Sequence, residues 1–385
     1  MRVFIIAGEL SGDKLGGAVM AALKELAPDV EFAGIGGPLM AQQGLVSRFD
    51  MSELSVMGLV EILPKYFHFK RLIRDTAAAI CQAKPDILLT IDAPEFCLRV
   101  AKTVRRDSSQ KIKTFHYVAP SVWAWRPGRA AKMAGYIDHV LALLPFEPPL
   151  MQAAGMGCAF VGHPVVNEPV ASSAEAAAFR QRHGLENVPL VLALPGSRSG
   201  EVGRLAARFG AALDIFCTAH PTARVVVPVA APVAAQVRAA AASWPGTPLL
   251  IDPADDPAGQ QKAAAFRAAD LALAASGTVS LELAATATPM VIAYDMAWLS
   301  RQIISRLLLV DTVTLPSLVT DTRVIPEFIG AACQPEPIAQ AMSRVFAAPD
   351  AQLQVLGLAM DRLGRGGTPP GKLAALSVLD VISNI

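Results

Sequence analysis

One stretch of the chain, Leu271–Tyr294, combines residue types that suit a nucleotide. An apolar run typical of a buried strand ends at Ser276, Gly277 and Thr278, where a helical pattern begins. Ser and Thr beside Gly at a helix start present free backbone N–H groups and the positive end of the helix dipole, which suits a phosphate. One turn later, Glu282 could accept hydrogen bonds from two vicinal hydroxyls, as on a ribose. An ordinary βαβ unit with a capped helix explains the same pattern.

A second turn with the same chemistry follows the apolar run Leu190–Leu194. Gly196 and Ser197 precede Arg198 at the predicted start of a helix. A guanidinium there could neutralise a diphosphate without a metal ion, although a surface arginine in a capped turn is the alternative. Because two such turns end strands in the same half of the chain, together they favour a nucleotide site in that half.

Carboxylates follow two predicted strands in the first half of the chain. The turn after Val3–Ala7 contains Glu9, Ser11, Gly12 and Asp13 and leads into a helix predicted from about Leu15 to Leu26. Asp92 follows the run Asp86–Ile91. A carboxylate at the carboxyl end of a parallel strand is a candidate general base for a hydroxyl proton. The alternatives are that Asp92 caps the next helix and that Ser11 and Asp13 are only caps and turn formers.

Two other segments mix aromatic and basic residues. The loop after the predicted strand Thr114–Val118 carries Trp123 and Arg126, which could stack on a sugar or only fix the loop. The segment Met51–Arg74 has the apolar, aromatic and basic composition of a surface that contacts anionic lipid, or of a cleft for acyl chains. A helix that packs on a sheet and exposes a basic face is the alternative.

Composition limits the class of protein. The 385 residues fit two domains, and 53% hydrophobic against 17% charged residues excludes disorder. A net charge of +1 argues against a nucleic-acid surface, and the 5 cysteines form no C-x-x-C pair that would indicate structural zinc. The apolar run of five residues at the amino terminus is shorter than a signal peptide's apolar region, and no run has the length of a membrane span. We therefore expect a cytoplasmic protein, soluble or peripheral on a membrane. No acidic pair is obviously placed to hold Mg²⁺, so we expect no metal or other cofactor.

Alternating strand and helix patterns must position these residues. The alternation restarts near residue 167, which predicts domains at 1–167 and 168–385. The predicted fold class is α/β, with two doubly wound Rossmann-like domains. The sequence predicts apolar helices at Pro337–Phe346 and Leu373–Ile382. They could bury their apolar surface by crossing back onto the first domain or by exchange in a homodimer.

Nine motifs occur in order between residues 7 and 294: AGELSGD, GIGGPLM, MSELSVMGLVEILP, IDAPEF, YVAPSVWAWRPGR, LPFEP, FVGHPV, LPGSRSGEV and ASGTVSLELAATATPMVIAY. With them the chain resembles the lipid A disaccharide synthase family, and the SELSVMG and SVWAWR segments make the resemblance specific. It implies a GT-B fold whose two domains face a cleft, the first binding acceptor and lipid and the second the UDP-sugar. It also implies inverting transfer from UDP-2,3-diacylglucosamine to 2,3-diacylglucosamine 1-phosphate at the inner membrane of a Gram-negative cell.

The resemblance also implies roles for single residues. Asp92 would deprotonate the acceptor's 6-hydroxyl, with Glu9 as the rival base. Arg198 would stabilise the diphosphate leaving group, Ser276–Thr278 would hold phosphate and Glu282 the ribose. Ser317 stands where family members commonly carry Asn near the nucleotide, so a shorter hydroxyl replaces an amide there.

Other classes of protein share parts of this pattern. A UDP-sugar 2-epimerase would share the architecture and the nucleotide site, but it would not need the segment Met51–Arg74. A non-catalytic nucleotide-sugar binding protein would show no turnover. An NAD-dependent enzyme is the most distant alternative, because the chain lacks the G-x-G-x-x-G fingerprint.

Overall fold

A computed structural model describes residues 1–54, 59–296 and 307–383 of the chain. The chain divides into two compact units, one formed by Met1–Asn167 with Gly366–Ile385 and the other by Glu168–Arg365. Each unit contains a six-stranded sheet, and every strand pair in both sheets is parallel. The predicted fold class, α/β with two doubly wound Rossmann-like sheets, is confirmed.

The sheet of the first unit has the strand order β2-β1-β3-β4-β5-β6. Its strands are β1 (Arg2–Ala7), β2 (Glu31–Ile35), β3 (Ile87–Ile91), β4 (Lys113–Tyr117), β5 (His139–Ala142) and β6 (Gly157–Phe160). The helices between them are α1 (Leu10–Leu26), α2 (Pro38–Gln42), α3 (Leu59–Ala83), α4 (Pro94–Asp107), α5 (Gly128–Met133) and α6 (Pro148–Ala153). Alternate residues of β1 enter two apolar cores, since Phe4 and Ile6 face one side of the sheet and Val3 and Ile5 the other.

The sheet of the second unit has the order β12-β11-β10-β7-β8-β9. Its strands are β7 (Leu190–Leu194), β8 (Arg224–Pro228), β9 (Leu249–Ile251), β10 (Leu271–Ala274), β11 (Met290–Tyr294) and β12 (Glu327–Ile329). Its helices are α7 (Ser173–Arg182), α8 (Ser199–Ala219), α9 (Ala234–Ala241), α10 (Gln260–Ala268), α11 (Val279–Ala285), α12 (Leu315–Thr320), α13 (Pro335–Ala347) and α14 (Asp350–Arg362).

The last helix, α15 (Pro370–Ser383), belongs to the first unit of the same chain, although it follows the second unit in sequence. It packs on α1 so closely that a β-carbon on Gly371 would lie 2.9 Å from Cβ of Ala18. Nζ of Lys372 also lies 2.6 Å from Oε1 of Glu25 on α1. Glycine at position 371 therefore permits this close helix contact.

The strand order reverses once in each sheet, between β1 and β3 and between β7 and β10. Connections diverge to opposite faces at such a point, so a crevice opens beyond the carboxyl ends of the two strands. The turns predicted to carry chemistry follow these four strands: Glu9 after β1, Asp92 after β3, Gly196–Arg198 after β7 and Ser276–Thr278 after β10.

The segment Met51–Arg74 is described in part, since residues 55–58, which include Val56 and Met57, lie outside the described ranges. Met51–Leu54 forms a 3₁₀ turn, and α3 begins at Leu59. Farther along α3, the side chain of Phe67 is 83% exposed, whereas Phe69 packs against the core. None of the helices within 1–54, 59–296 and 307–383 is both long and apolar enough to cross a membrane.

Candidate functional site

A pocket of 440 Å³ lies where the strand order reverses in the second unit. This volume is in the range of small-molecule sites. The pocket is lined by all the residues that the sequence predicts for the nucleotide in the turns after β7 and β10: Gly196, Ser197, Arg198, Ser276, Gly277, Thr278 and Glu282. The structure therefore brings two turns that are about 80 residues apart in sequence to one site.

The turn after β7 is organised by Glu201, which is 9% exposed. Oε2 of Glu201 accepts a hydrogen bond of 3.2 Å from the Ser197 N–H, and Oε1 lies 3.3 Å from Nη1 of Arg198. Gly196 has φ +113, and a β-carbon there would lie 2.7 Å from Oε2 of Glu201. Only glycine fits both the backbone conformation and the space. The guanidinium of Arg198 stays 64% exposed at the pocket.

The turn after β10 leaves space in front of the backbone. Gly277 has φ +151, and a β-carbon built there meets no atom within 4 Å. Thr278 is the N-cap of α11, and its side chain makes no capping hydrogen bond. The side chain of Thr278 therefore does not cap α11. The backbone of the turn borders open space, which suits an anionic group.

Glu282 and the pocket wall come from different elements. Oε2 of Glu282 accepts a hydrogen bond of 2.7 Å from Nζ of Lys262 on α10. Phe266, one turn further along α10, and Val229, after β8, add apolar surface to the pocket. Sequence reasoning missed Lys262, Phe266 and Val229, because no local pattern relates them to Glu282. Glu201 could have been predicted from the sequence, because it is an acidic residue three positions after the helix N-cap.

Asp92 adopts a backbone conformation that is unusual for a non-glycine residue, with φ +49, and Ala93 follows with φ +40. Two such residues in succession store strain, which clusters at functional sites. The Asp92 N–H donates to the carbonyl of Tyr117 at 2.9 Å. The N-cap of α4 is Ala93 without any side-chain cap, so Asp92 does not cap this helix. Burial raises the pKa of the Asp92 carboxyl, and a hydrogen bond from the Ala93 backbone offsets part of this rise.

Glu9 lies beside the Asp92 turn. A β-carbon on Gly8 would lie 2.6 Å from Cβ of Ala93, so the backbone after β1 passes directly against the backbone after β3. Glu9 is the N-cap residue of α1 and is half-buried. Both carboxylates that the sequence proposes as bases therefore belong to the same crevice of the first unit.

The predicted turn Ser11–Asp13 is the first turn of α1, which begins at Leu10 and not near Leu15. Asp13 is 1% exposed, and its carboxylate accepts hydrogen bonds from the N–H groups of residues 37, 39 and 40 at 2.8, 2.9 and 3.0 Å. Gly12 is buried, and a β-carbon on it would lie 3.5 Å from the carbonyl of Ile91. This geometry gives Asp13 a structural role at the start of α2, whereas Gly12 is in ordinary contact with the end of β3, and the contact of either residue with substrate stays a prediction. Ser11 is exposed.

Trp123 is half-buried and is held in place by contacts within the first unit. Its Nε1 donates to Oε1 of Glu147 at 3.2 Å, and its ring meets Phe146 edge-on with centroids 5.4 Å apart. Glu147 is 3% exposed and also accepts a hydrogen bond of 3.0 Å from the Leu144 N–H. Burial raises the pKa of Glu147 to about 7. Arg126 is exposed, has φ +53, and places its guanidinium carbon 4.2 Å from the ring centroid of Trp125.

Ser317 lies in the interior at the start of α12 and is 0% exposed. Its hydroxyl has no hydrogen-bond partner among the described residues, and neither has that of Thr314 one turn before it. Ser317 is not among the described residues that line the pocket. In the parts of the chain that the structure describes, no group of three or more His, Cys, Asp or Glu could hold a metal ion.

The sequence model of the lipid-A-disaccharide synthetase family matches residues 3–354. The chain belongs to this family. It is 62% identical over 383 residues to the lipid-A-disaccharide synthase of Ruegeria pomeroyi, covering 99% of this chain and 95% of that protein. It is 46% identical over 389 residues to that of Rhodospirillum centenum, covering 100% and 95%. The predicted family and the predicted class of enzyme, a glycosyltransferase, are therefore confirmed.

Solved structures support the fold of this family member. The UDP-GlcNAc 2-epimerase from Neisseria meningitidis, bound to UDP-GlcNAc, superposes with a TM-score of 0.61 at 12% identity, with 100% of both chains covered. At this identity the likeness shows the shared fold alone. The epimerase alternative is thus a distant fold match, whereas the relationship to the lipid-A-disaccharide synthases covers nearly the whole sequence.

Proposed function

We propose that the chain joins UDP-2,3-diacylglucosamine to 2,3-diacylglucosamine 1-phosphate, giving the β-1,6 lipid A disaccharide 1-phosphate and UDP. The observation that carries this proposal is the pocket of the second unit, where Arg198, Ser276–Thr278 and Glu282 line one cavity in a member of this family. That set of groups matches the diphosphate and the ribose of a UDP-sugar.

On the donor side, the pocket holds the leaving group. Arg198 stabilises the negative charge that builds on the diphosphate as the bond to the sugar C1 breaks. Its exposed guanidinium offers several N–H donors besides Nη1, the nitrogen near Glu201. The backbone and hydroxyls of Ser276–Thr278 bind phosphate oxygens, and Glu282 accepts hydrogen bonds from the ribose hydroxyls. UDP leaves with the electron pair of the broken C–O bond.

On the acceptor side, Asp92 removes the proton of the 6-hydroxyl. The oxygen then attacks C1 from the face opposite to the diphosphate, so the configuration inverts and the proton ends on the Asp92 carboxylate. Burial helps, because a carboxylate with a raised pKa is a stronger base. Glu9, at the same crevice, is the alternative base.

Contact with a membrane surface would bring both lipid substrates to the enzyme. The proposal rests on α3, where the exposed ring of Phe67 lies on the same groove as the cationic side chains of Lys70, Arg71 and Arg74. An aromatic side chain among cations suits the interface of an anionic bilayer. Sedimentation with anionic vesicles, compared with zwitterionic ones, tests this; equal and undetectable binding to both would contradict it.

The reaction is tested with the purified chain and both lipid substrates in mixed detergent micelles. Mass spectrometry should detect the disaccharide 1-phosphate, and NMR of the new anomeric proton should show the β configuration. A 2-epimerase would instead isomerise the UDP-sugar with no acceptor present, and a binding protein would leave both substrates unchanged.

A further inference from the structure

Lys262 is the only lysine between residues 168 and 365, and it lies at the pocket of the second unit. Its Nζ is 2.7 Å from Oε2 of Glu282, which stands 20 residues later on a different helix. The mechanism proposed above gives Lys262 no role, although the Lys262 ammonium contacts Glu282, the residue proposed to bind the ribose.

The position of Lys262 is fixed from several sides. Its backbone N–H donates to Oδ2 of Asp256 at 2.9 Å, which holds the first turn of α10. Gly259, the N-cap, has φ +68 and donates its N–H to the carbonyl of Asp256 at 2.9 Å. Nζ lies 5.2 Å from the ring centroid of Phe266, within the range of a cation–π contact. The ammonium group is therefore directed toward Glu282 by its own helix.

This pair adds little to folding, because the side chains of Lys262 and Glu282 are 48% and 34% exposed. Its effect is on the carboxylate. Lys262 holds one oxygen of Glu282, and within the described residues no hydrogen bond is donated to the other oxygen, Oε1.

We propose that Lys262 is a positioning residue that orients Glu282 and thereby sets the preference of the pocket for a ribonucleoside diphosphate over its 2′-deoxy counterpart. The inference rests on the proposed function, which assigns this pocket to UDP. It adds a residue and a selectivity that the reaction alone does not require.

Calorimetric titration of the full chain with UDP and with 2′-deoxy-UDP tests this inference. The wild type should bind UDP about 10-fold or more tightly than 2′-deoxy-UDP, because loss of one partner leaves a polar group of the site unpaired. Lys262→Met keeps the apolar stem and removes the charge. It should weaken UDP binding by roughly 10-fold but 2′-deoxy-UDP binding by less than about 3-fold, so the preference collapses.

Three controls separate this role from a merely structural one. Lys262→Arg keeps a cation near Glu282 and should restore most of the preference, and Lys102→Met, an exposed lysine of the first unit, should change neither affinity. Glu282→Gln should lower the preference by itself, and adding Lys262→Met to it should lower it no further. Equal loss for both nucleotides in Lys262→Met, or no loss, would overturn the inference while the proposed function stands. A folded wild type that binds neither nucleotide would instead refute the assignment of the pocket.

Discussion

Oε2 of Glu201 accepts a hydrogen bond of 3.2 Å from the backbone N–H of Ser197, so a carboxylate lies inside the turn that is proposed to hold a diphosphate. A negative charge there opposes anion binding unless a cation offsets it, and the Arg198 guanidinium, 3.3 Å away, does so. Glu201 thus shapes the turn and limits where Arg198 can point. The turn is held by side chains as well as by its own backbone.

Removal of the Glu201 carboxylate should separate these two effects. Glu201→Ala removes the hydrogen bond to the N–H of the exposed Ser197, so we expect a loss of about 0.5–1.5 kcal/mol in the free energy of unfolding. Glu201→Gln keeps an acceptor and should lose less. Both should lower kcat/KM, by roughly 10-fold or more, since Arg198 loses its orientation. Denaturant unfolding and steady-state kinetics measure the two quantities; wild-type kinetics in both variants would contradict a positioning role.

Gly196→Ala should damage the same turn from the backbone side. The variant adopts φ +113 only with strain and places a β-carbon 2.7 Å from Glu201. Gly184→Ala is a matched control, because Gly184 also has a positive φ, +65, but meets nothing within 4 Å. We expect Gly196→Ala to lose more stability than the control by about 1 kcal/mol or more, and to bind UDP more weakly. Equal melting temperatures and equal UDP affinity in the two variants would argue against this account.

Asp92→Asn is the sharpest test of the base. Asn tolerates the left-handed backbone of this position nearly as well as Asp, so the fold should be kept while the basic oxygen is lost. We expect disaccharide formation to fall by about 10²- to 10⁴-fold with UDP affinity unchanged. Glu9→Gln is the matched comparison at the same crevice. If Glu9→Gln loses the activity and Asp92→Asn keeps it, Glu9 is the base.

The wild-type pH profile should carry the signature of Asp92. Burial raises the pKa of its carboxyl, so the acidic limb of kcat/KM should lie above the ordinary Asp value of 3.8. Activity should fall as pH drops through the raised pKa, because the protonated carboxyl cannot accept the hydroxyl proton. An acidic limb at or below 3.8 would contradict this assignment.

Glu147 should make stability depend on pH. Its folded pKa, about 7, exceeds the ordinary value of 4.5, so the folded chain binds this proton more tightly. Its contribution is therefore full below about pH 4.5 and is lost as pH rises through about 7. Relative to Glu147→Gln, the wild type should lose on the order of 1–3 kcal/mol across that range. Burial lowers the pKa of His116 to about 3, so the contribution of His116 to stability increases as pH rises. This contribution is the same in the wild type and in Glu147→Gln. Parallel stability curves from pH 5 to 8 would contradict the prediction.

Local sequence patterns sufficed for the strands β7 and β10, which precede the two turns of the second unit's pocket. The run Leu190–Leu194 is β7 with the predicted bounds, because buried parallel strands are continuous apolar runs. The start of α1 was wrong, because Ser11–Asp13 has the composition of a turn while the carboxylate of Asp13 holds the start of α2. Lys262 was not predicted, because it lies 20 residues before Glu282 on a different helix and no local pattern relates the two.

The central claim is that one chain couples release of UDP to formation of the disaccharide, and a single assay of the purified wild type tests it. UDP and the disaccharide 1-phosphate are quantified in the same reaction, with and without the acceptor. Equal amounts of the two products are expected when the acceptor is present, and almost no UDP is expected when it is omitted. UDP release at the same rate without acceptor, or UDP without disaccharide, would contradict it.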